Sequence, residues 1–137
     1  MTEQILSNCS LRRLAMRGDE RGSLIAIEAA DIPFRIERVY YIFDTKREVE
    51  RGFHAHRDLR QLAMCVSGSC VMVVDDGRER RDVLLNEPGL ALEIGPMIWR
   101  EMRDFSEGAV LLVLASAPYS EADYVRDYDA FLALARG

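Results

Sequence analysis

The chain holds two histidines, and they sit two residues apart as His54-Ala55-His56. On a strand, residues i and i+2 share a face, so both imidazoles project the same way; on a helix they diverge. Two imidazoles side by side suit a metal site or proton transfer near neutral pH. The positive charge is unusual as well. Seventeen of the 18 basic residues are arginine, and Lys46 is the lone lysine. Arginine is the residue for bidentate recognition of phosphate and carboxylate.

The composition excludes several classes. With 18 Lys plus Arg against 23 Asp plus Glu, the net charge of −5 argues against nonspecific nucleic-acid binding. No apolar run approaches the roughly 18 to 20 residues that cross a bilayer. The start, MTEQILSNCSLRRL, has no basic stretch followed by an apolar one, so no signal peptide is expected. Cys9, Cys65 and Cys70 are odd in number and lack C-x-x-C spacing. They read as reduced core residues, with a cytoplasmic location expected.

The elements that must position the histidines read mostly as strands. Stretches 23–27, 38–43, 61–66, 70–74, 81–85, 90–94, 98–105 and 110–115 are apolar or β-branched. Turn residues separate them: Ser67-Gly68-Ser69, Asp75-Asp76-Gly77, Asn86-Glu87-Pro88-Gly89 and Ser106-Glu107-Gly108. A turn every 8 to 12 residues is the rhythm of a sandwich or barrel. One helix is expected after Ser120 as N-cap, from apolar residues at Tyr124, Tyr128, Phe131, Leu132 and Ala135. The whole chain, 1–137, reads as one domain, and residues 1–17 carry no motif. Alternation along 38–43 puts Tyr40 and Tyr41 on opposite faces, so one of them enters a barrel.

Gly52-Phe53-His54-Ala55-His56, followed by Gln61 and Gly68, resembles the first motif of cupins. Ile94-Gly95-Pro96-Met97-Ile98-Trp99-Arg100 resembles the second. The resemblance implies an all-β fold, a double-stranded antiparallel β-helix or jelly-roll barrel. A metal-binding cupin uses two His, a Glu and a third His. This chain offers His54, His56, Gln61 and Arg100, and has no third histidine. Glutamine is a weak ligand, and arginine stays protonated and repels a cation. The expectation is therefore no metal and no cofactor, with two imidazoles and a guanidinium at a barrel mouth.

In more detail the chain resembles the bacterial sugar-nucleotide 3,4-ketoisomerases, the WxcM-like cupins. The similarity rests on Arg21–Leu24, Ile32-Pro33-Phe34, Arg38–Thr45, Arg51–His56, Gly95–Met102, Leu114-Ala115-Ser116 and Asp123–Asp129. It covers roughly residues 18 to 132. It implies that the keto group of a dTDP-4-keto-6-deoxyglucose moves from C4 to C3 through an enediol. The catalytic residues it implies are His54, His56 and Tyr41 or Tyr40. His56 is favoured as the base, as the deeper histidine, and Tyr41 is favoured over Tyr40. Arg21, Arg38, Arg51 and Arg100 are the expected phosphate-binding cations, and Gln61 and Trp99 complete the substrate-binding set. The resemblance also implies a homodimer, with the N-terminal segment exchanged between subunits and Arg21 serving the neighbour's site. The other readings are a nucleotide-sugar 3,5- or 5-epimerase, or a non-catalytic sugar-nucleotide-binding cupin.

Overall fold

Alternating inward and outward side chains along antiparallel strands build this molecule, and they do so in two sheets. The structure, a computed structural model, describes residues 2–137. Its strands are β1 (Thr2–Leu6), β2 (Cys9–Arg13), β3 (Arg17–Asp19), β4 (Gly22–Leu24), β5 (Arg38–Ile42), β6 (Arg51–His56) and β7 (Gln61–Ser67). There follow β8 (Cys70–Asp75), β9 (Arg80–Leu85), β10 (Leu90–Ile94), β11 (Trp99–Arg103), β12 (Val110–Ala115) and β13 (Tyr124–Val125). A terminal helix, α1, spans Tyr128–Arg136. One sheet runs β1-β2-β10-β7-β12-β5 and the other β13-β6-β11-β8-β9. β3 and β4 form a separate hairpin. This is the jelly-roll arrangement expected from the cupin resemblance.

Period-2 patterning sorts the side chains into three apolar clusters. Ala63, Cys65, Cys70, Met72, Val74, Leu92, Phe105, Leu111 and Val113 fill the space between the sheets. Leu62, Met64, Ala91 and Leu114 face outward from the larger sheet, under Ile27, Ile32, Phe34 and Ile36. Ala55, Trp99 and Val125 face outward from the smaller sheet, against Phe131 and Leu132 of α1.

Two expectations are corrected, and the motif-free N-terminal segment acquires a place in the sheet. The strand over 23–27 shrinks to β4, and the chain beyond it crosses the larger sheet as a cover, pinned by its apolar side chains. Residues 1–17, read as motif-free, supply β1 and β2, and β2 joins the main sheet beside β10. Alternation is present there, with Cys9 and Leu11 facing the core, but it is short: Arg13 ends it after four residues. The helix starts at Tyr128 and not after Ser120. Asp127 is the N-cap, its side chain accepting from the Ala130 N–H at 2.9 Å. Residues 121–123 make one 3-10 turn, and Tyr124 and Val125 then pair with β6.

Candidate active site

A β-bulge sets the aim of the histidine strand. In the β6–β11 ladder Arg100 faces His54, Glu101 faces Gly52 and Met102 faces Arg51, so Phe53 has no partner. The chain manages this with two residues in left-handed conformation, Gly52 (φ +91°) and Phe53 (φ 61°). A Cβ at Gly52 would sit 2.9 Å from the Arg100 carbonyl oxygen, so the bulge needs glycine on steric and conformational grounds. Beyond it His54 and His56 both point inward, their rings edge to face with centroids 4.9 Å apart. His54 is half-buried, whereas His56 is 1% exposed.

The segment after the 3-10 turn closes over the imidazoles. Asp123 Oδ2 lies 3.0 Å from His56 Nδ1. Its carboxylate also accepts from the Asp58 N–H at 2.8 Å and the Leu59 N–H at 3.3 Å, which fixes its position. A carboxylate can only accept, so His56 keeps its proton on Nδ1 and leaves Nε2 unprotonated. The Tyr124 ring contacts both imidazoles, at 4.9 Å from His54 and 4.4 Å from His56 between centroids. Arg126 lies 4.1 Å from that ring's centroid and is held to Glu121 at 2.8 Å. Burial and the nearby Arg100 charge push His54 down to about 4. The same two causes, with His54 itself, push His56 down to about 3 despite Asp123. Both imidazoles are neutral at pH 7 and able to accept a proton.

Across the barrel, Arg38, Tyr40 and Ile42 of β5 turn inward, and Val39, Tyr41 and Phe43 turn out. Gln61 Nε2 donates to the Tyr40 hydroxyl at 3.1 Å. Gln61 Oε1 accepts from Arg100. Arg100, 1% exposed, also donates from Nε (3.2 Å) and Nη2 (3.0 Å) to the Ile98 carbonyl. Burial lowers Arg100 to about 10, so it remains a cation. Burial raises the Tyr40 phenol and keeps it protonated. Two imidazoles beside a buried guanidinium do not make a donor set for a metal ion.

Tyr40 and His54 line one cavity of about 320 Å³, with Arg38, Arg51, Tyr124 and Arg126 around it. A neighbouring cavity of about 330 Å³ shares Arg38 and Tyr124 and reaches His56. Among the described residues neither Arg38 nor Arg51 is paired with a carboxylate, whereas Arg126 is. Arg38 Nε is buried without a hydrogen-bond partner, and the guanidinium sits over the Tyr40 ring at 5.3 Å.

The structure therefore brings together His54, His56, Tyr40, Gln61, Arg38, Arg51 and Arg100, and leaves three expected residues elsewhere. Tyr41 is 61% exposed on the outer face, so the preference for it over Tyr40 is reversed: alternation from Arg38 sends the even-numbered residues inward. Trp99 faces outward under α1, stacked on Tyr128 and Phe131, with Nε1 bonded to Glu101 at 2.9 Å. Its register in β11 is opposite to that of Arg100, so it walls no pocket of this site. Arg21 is on the exposed β3–β4 hairpin, paired with Asp19 at 2.8 Å. His54 lines the cavity that it shares with Tyr40, whereas His56, 1% exposed, is reached from the neighbouring cavity, so placement beside Tyr40 favours His54 over His56 as the base. Asp123, Tyr124 and Arg126 were not singled out for the site. Only the strand pairing of Tyr124 with His56 delivers them.

Residues 7–136 match the family model described as FdtA: WxcM-like, C-terminal. The chain is 54% identical over 114 residues to a TDP-4-oxo-6-deoxy-alpha-D-glucose-3,4-oxoisomerase of Aneurinibacillus thermoaerophilus, covering 82% of each chain. It is similar to a mutant of the 3,4-ketoisomerase QdtA from Thermoanaerobacterium thermosaccharolyticum, solved in complex with TDP-4-keto-6-deoxyglucose. That match has a TM-score of 0.94 and 43% identity, over 96% of each chain. A 3,4-ketoisomerase from Helicobacter canadensis matches with a TM-score of 0.91 and 48% identity, over 95% of this chain and 98% of that one.

Proposed function

The chain belongs to the FdtA family, WxcM-like, C-terminal, and from that premise we propose that it is a metal-independent sugar-nucleotide 3,4-ketoisomerase. Its substrate is dTDP-4-keto-6-deoxyglucose and its product a dTDP-3-keto-6-deoxyhexose. One observation carries the reading: a neutral imidazole and a protonated phenol, His54 and Tyr40, face a single cavity beside the unpaired cations Arg38 and Arg51.

The chemistry is an internal transfer. His54 takes the C3 proton, and Tyr40 protonates the C4 carbonyl oxygen, giving an enediol. The C3 hydroxyl then loses its proton, C3 becomes the carbonyl, and a proton is added at C4. The C3–H bond breaks and a C4–H bond forms, so no outside oxidant or reductant is needed. An imidazole uncharged at pH 7 is ready to accept the proton. The developing enediolate meets the Tyr40 proton and the buried Arg100 charge behind it. His56, fixed by Asp123, packs edge to face against His54 and, being neutral, adds no charge beside it. Arg38 and Arg51 hold the pyrophosphate, whose two negative charges suit guanidinium forks.

In this reading the enzyme acts as a homodimer in the cytoplasm. The outer face of β5 exposes Val39, Tyr41 and Phe43, an apolar stripe of the kind a second copy covers. Arg21, with an exposed side chain on its hairpin, then reaches the partner's site. Incubation with dTDP-4-keto-6-deoxyglucose in D₂O, followed by NMR, tests the activity. The expected result is a 3-keto product carrying deuterium at C4. Exchange at C5 with inversion identifies an epimerase instead. Binding without exchange or product identifies a non-catalytic carrier. Either result overturns the reading.

A further inference from the structure

The Tyr40 phenol makes one hydrogen bond, to Gln61, and the direction of that bond is decided elsewhere. Arg100 has only N–H donors. It can meet the Gln61 side chain only at the amide oxygen, so Oε1 turns to Arg100. The amide nitrogen is then forced toward Tyr40, 3.1 Å away. An amide N–H donates, so the phenol oxygen accepts. Among the described residues no acceptor takes the Tyr40 proton, and the phenol lines the cavity that holds His54. Arg100 has no freedom to change this, because Ile98 holds its other nitrogens and it is 1% exposed.

We propose that Gln61 is a positioning residue that sets proton polarity: backed by Arg100, it makes the Tyr40 hydroxyl a one-way donor into the cavity. This replaces the expectation that Gln61 and Arg100 touch the substrate, and it rests on the ketoisomerase reading above. A carbonyl oxygen arriving in the cavity meets a proton already aimed at it. No rotamer search or bond breakage is needed before transfer, which is the use of a preorganised donor. The N–H from Gln61 also stabilises negative charge left on the phenol oxygen after transfer. Arg100 reaches the reacting centre only through this amide.

Gln61→Glu tests the polarity with little change of shape. The introduced carboxylate still accepts from Arg100 but can only accept from Tyr40 as well. The phenol proton then turns inward, away from the substrate. The expected result is a loss of about 10²-fold in kcat, with KM changed by less than about 3-fold. In a Tyr40→Phe background the same substitution should cost almost nothing more, because the two residues act through one bond. Full kcat in Gln61→Glu overturns the proposal, as does an equal loss with and without Tyr40.

Gln61→Leu, which removes the donor without adding charge, covers the case where the first variant does not fold. It should lower kcat by about 10-fold at unchanged KM, and full kcat in a folded Gln61→Leu protein overturns the proposal. A second readout does not depend on turnover. With tyrosine ¹³Cζ labelling, Tyr40 should titrate at higher pH in either variant than in the unaltered protein, since the phenolate loses its N–H donor. An unchanged Tyr40 titration overturns the bond direction even if the ketoisomerase reading stands. A raised titration in a protein that isomerises nothing overturns the ketoisomerase reading and leaves the bond direction intact.

Discussion

At one end of the barrel the inward positions hold Cys65, Cys70, Met72, Phe105 and Leu111; at the other they hold Gln61, Arg100, His56, Tyr40 and His54. The same strands build both ends. β7 carries Gln61 and Cys65 four residues apart on one face, and β11 carries Arg100 beside Met102. Each end carries one β-bulge, in the β6–β11 ladder at the polar end and in the β7–β12 ladder at the apolar one, so the difference lies mainly in side-chain chemistry. The apolar end is sealed, and there the hydrogen bond with Cys65, followed by burial, pushes the Cys70 thiol up and leaves it protonated. The polar end also buries groups, but each of its sealed ones has a named partner: Asp123 for His56, Gln61 and Ile98 for Arg100. One end supplies cohesion and the other supplies reactivity. A buried polar network is tolerable where its groups are partnered, and the exception at this end, Arg38 Nε, belongs to a side chain that lines the cavity.

Substitutions at the two ends should separate these contributions. The largest effect is expected from His54→Asn, which should lower kcat by about 10²- to 10⁴-fold with an unchanged melting temperature. Comparable turnover in that variant would remove His54 as the base. Phe105→Ala, at the closed end, should cost about 3–5 kcal/mol of stability in urea unfolding. Its activity per folded molecule should stay at the starting level, and a selective loss of kcat would mean that the ends are coupled.

Acid should weaken only the polar end. His54 and His56 resist protonation in the folded protein until about 4 and about 3, while unfolded histidine takes a proton near 6.5. Between those values the unfolded chain binds more protons, so stability falls as pH drops from 6.5 toward 4. The slope is about 1.4 kcal/mol per pH unit for each histidine. Urea midpoints at pH 7 and pH 5 should therefore differ less in His54→Asn. Equal slopes would place the titration elsewhere. The smallest effect is expected from Arg51→Gln, with KM raised about 10-fold, equivalent to about 1.4 kcal/mol, and kcat held.

The closed end was largely legible in the sequence, since alternating apolar runs and their turns located β7 to β12 nearly to the residue. The polar end was legible only where it is local. His54 and His56 advertise themselves by spacing, and Arg100 by its place after Gly95-Pro96. Alternation on β5 left Tyr40 and Tyr41 equivalent until the sheet assigned an inside. Asp123 lies 67 residues from His56, so no window of sequence joins them. The apolar residues from Tyr124 onward carried a helical period, yet pairing with β6 claimed Tyr124 first. Tertiary contacts overrode the local pattern. The N-terminal strands are short, and β1 exposes its polar residues at the sheet edge, so neither offers an apolar run long enough to read as a strand.

The bulge at Gly52 and Phe53 has one more consequence. Side chains on a strand keep time in twos, and Arg51 and His54 are three apart, out of phase. The unpaired Phe53 acts as a one-residue frameshift, so the cation before it and the imidazoles after it come into phase on one wall. Deleting Phe53 would leave the H-x-H spacing intact. It would throw Arg51 to the opposite side of the sheet, breaking the register between substrate grip and proton transfer without changing a residue of either.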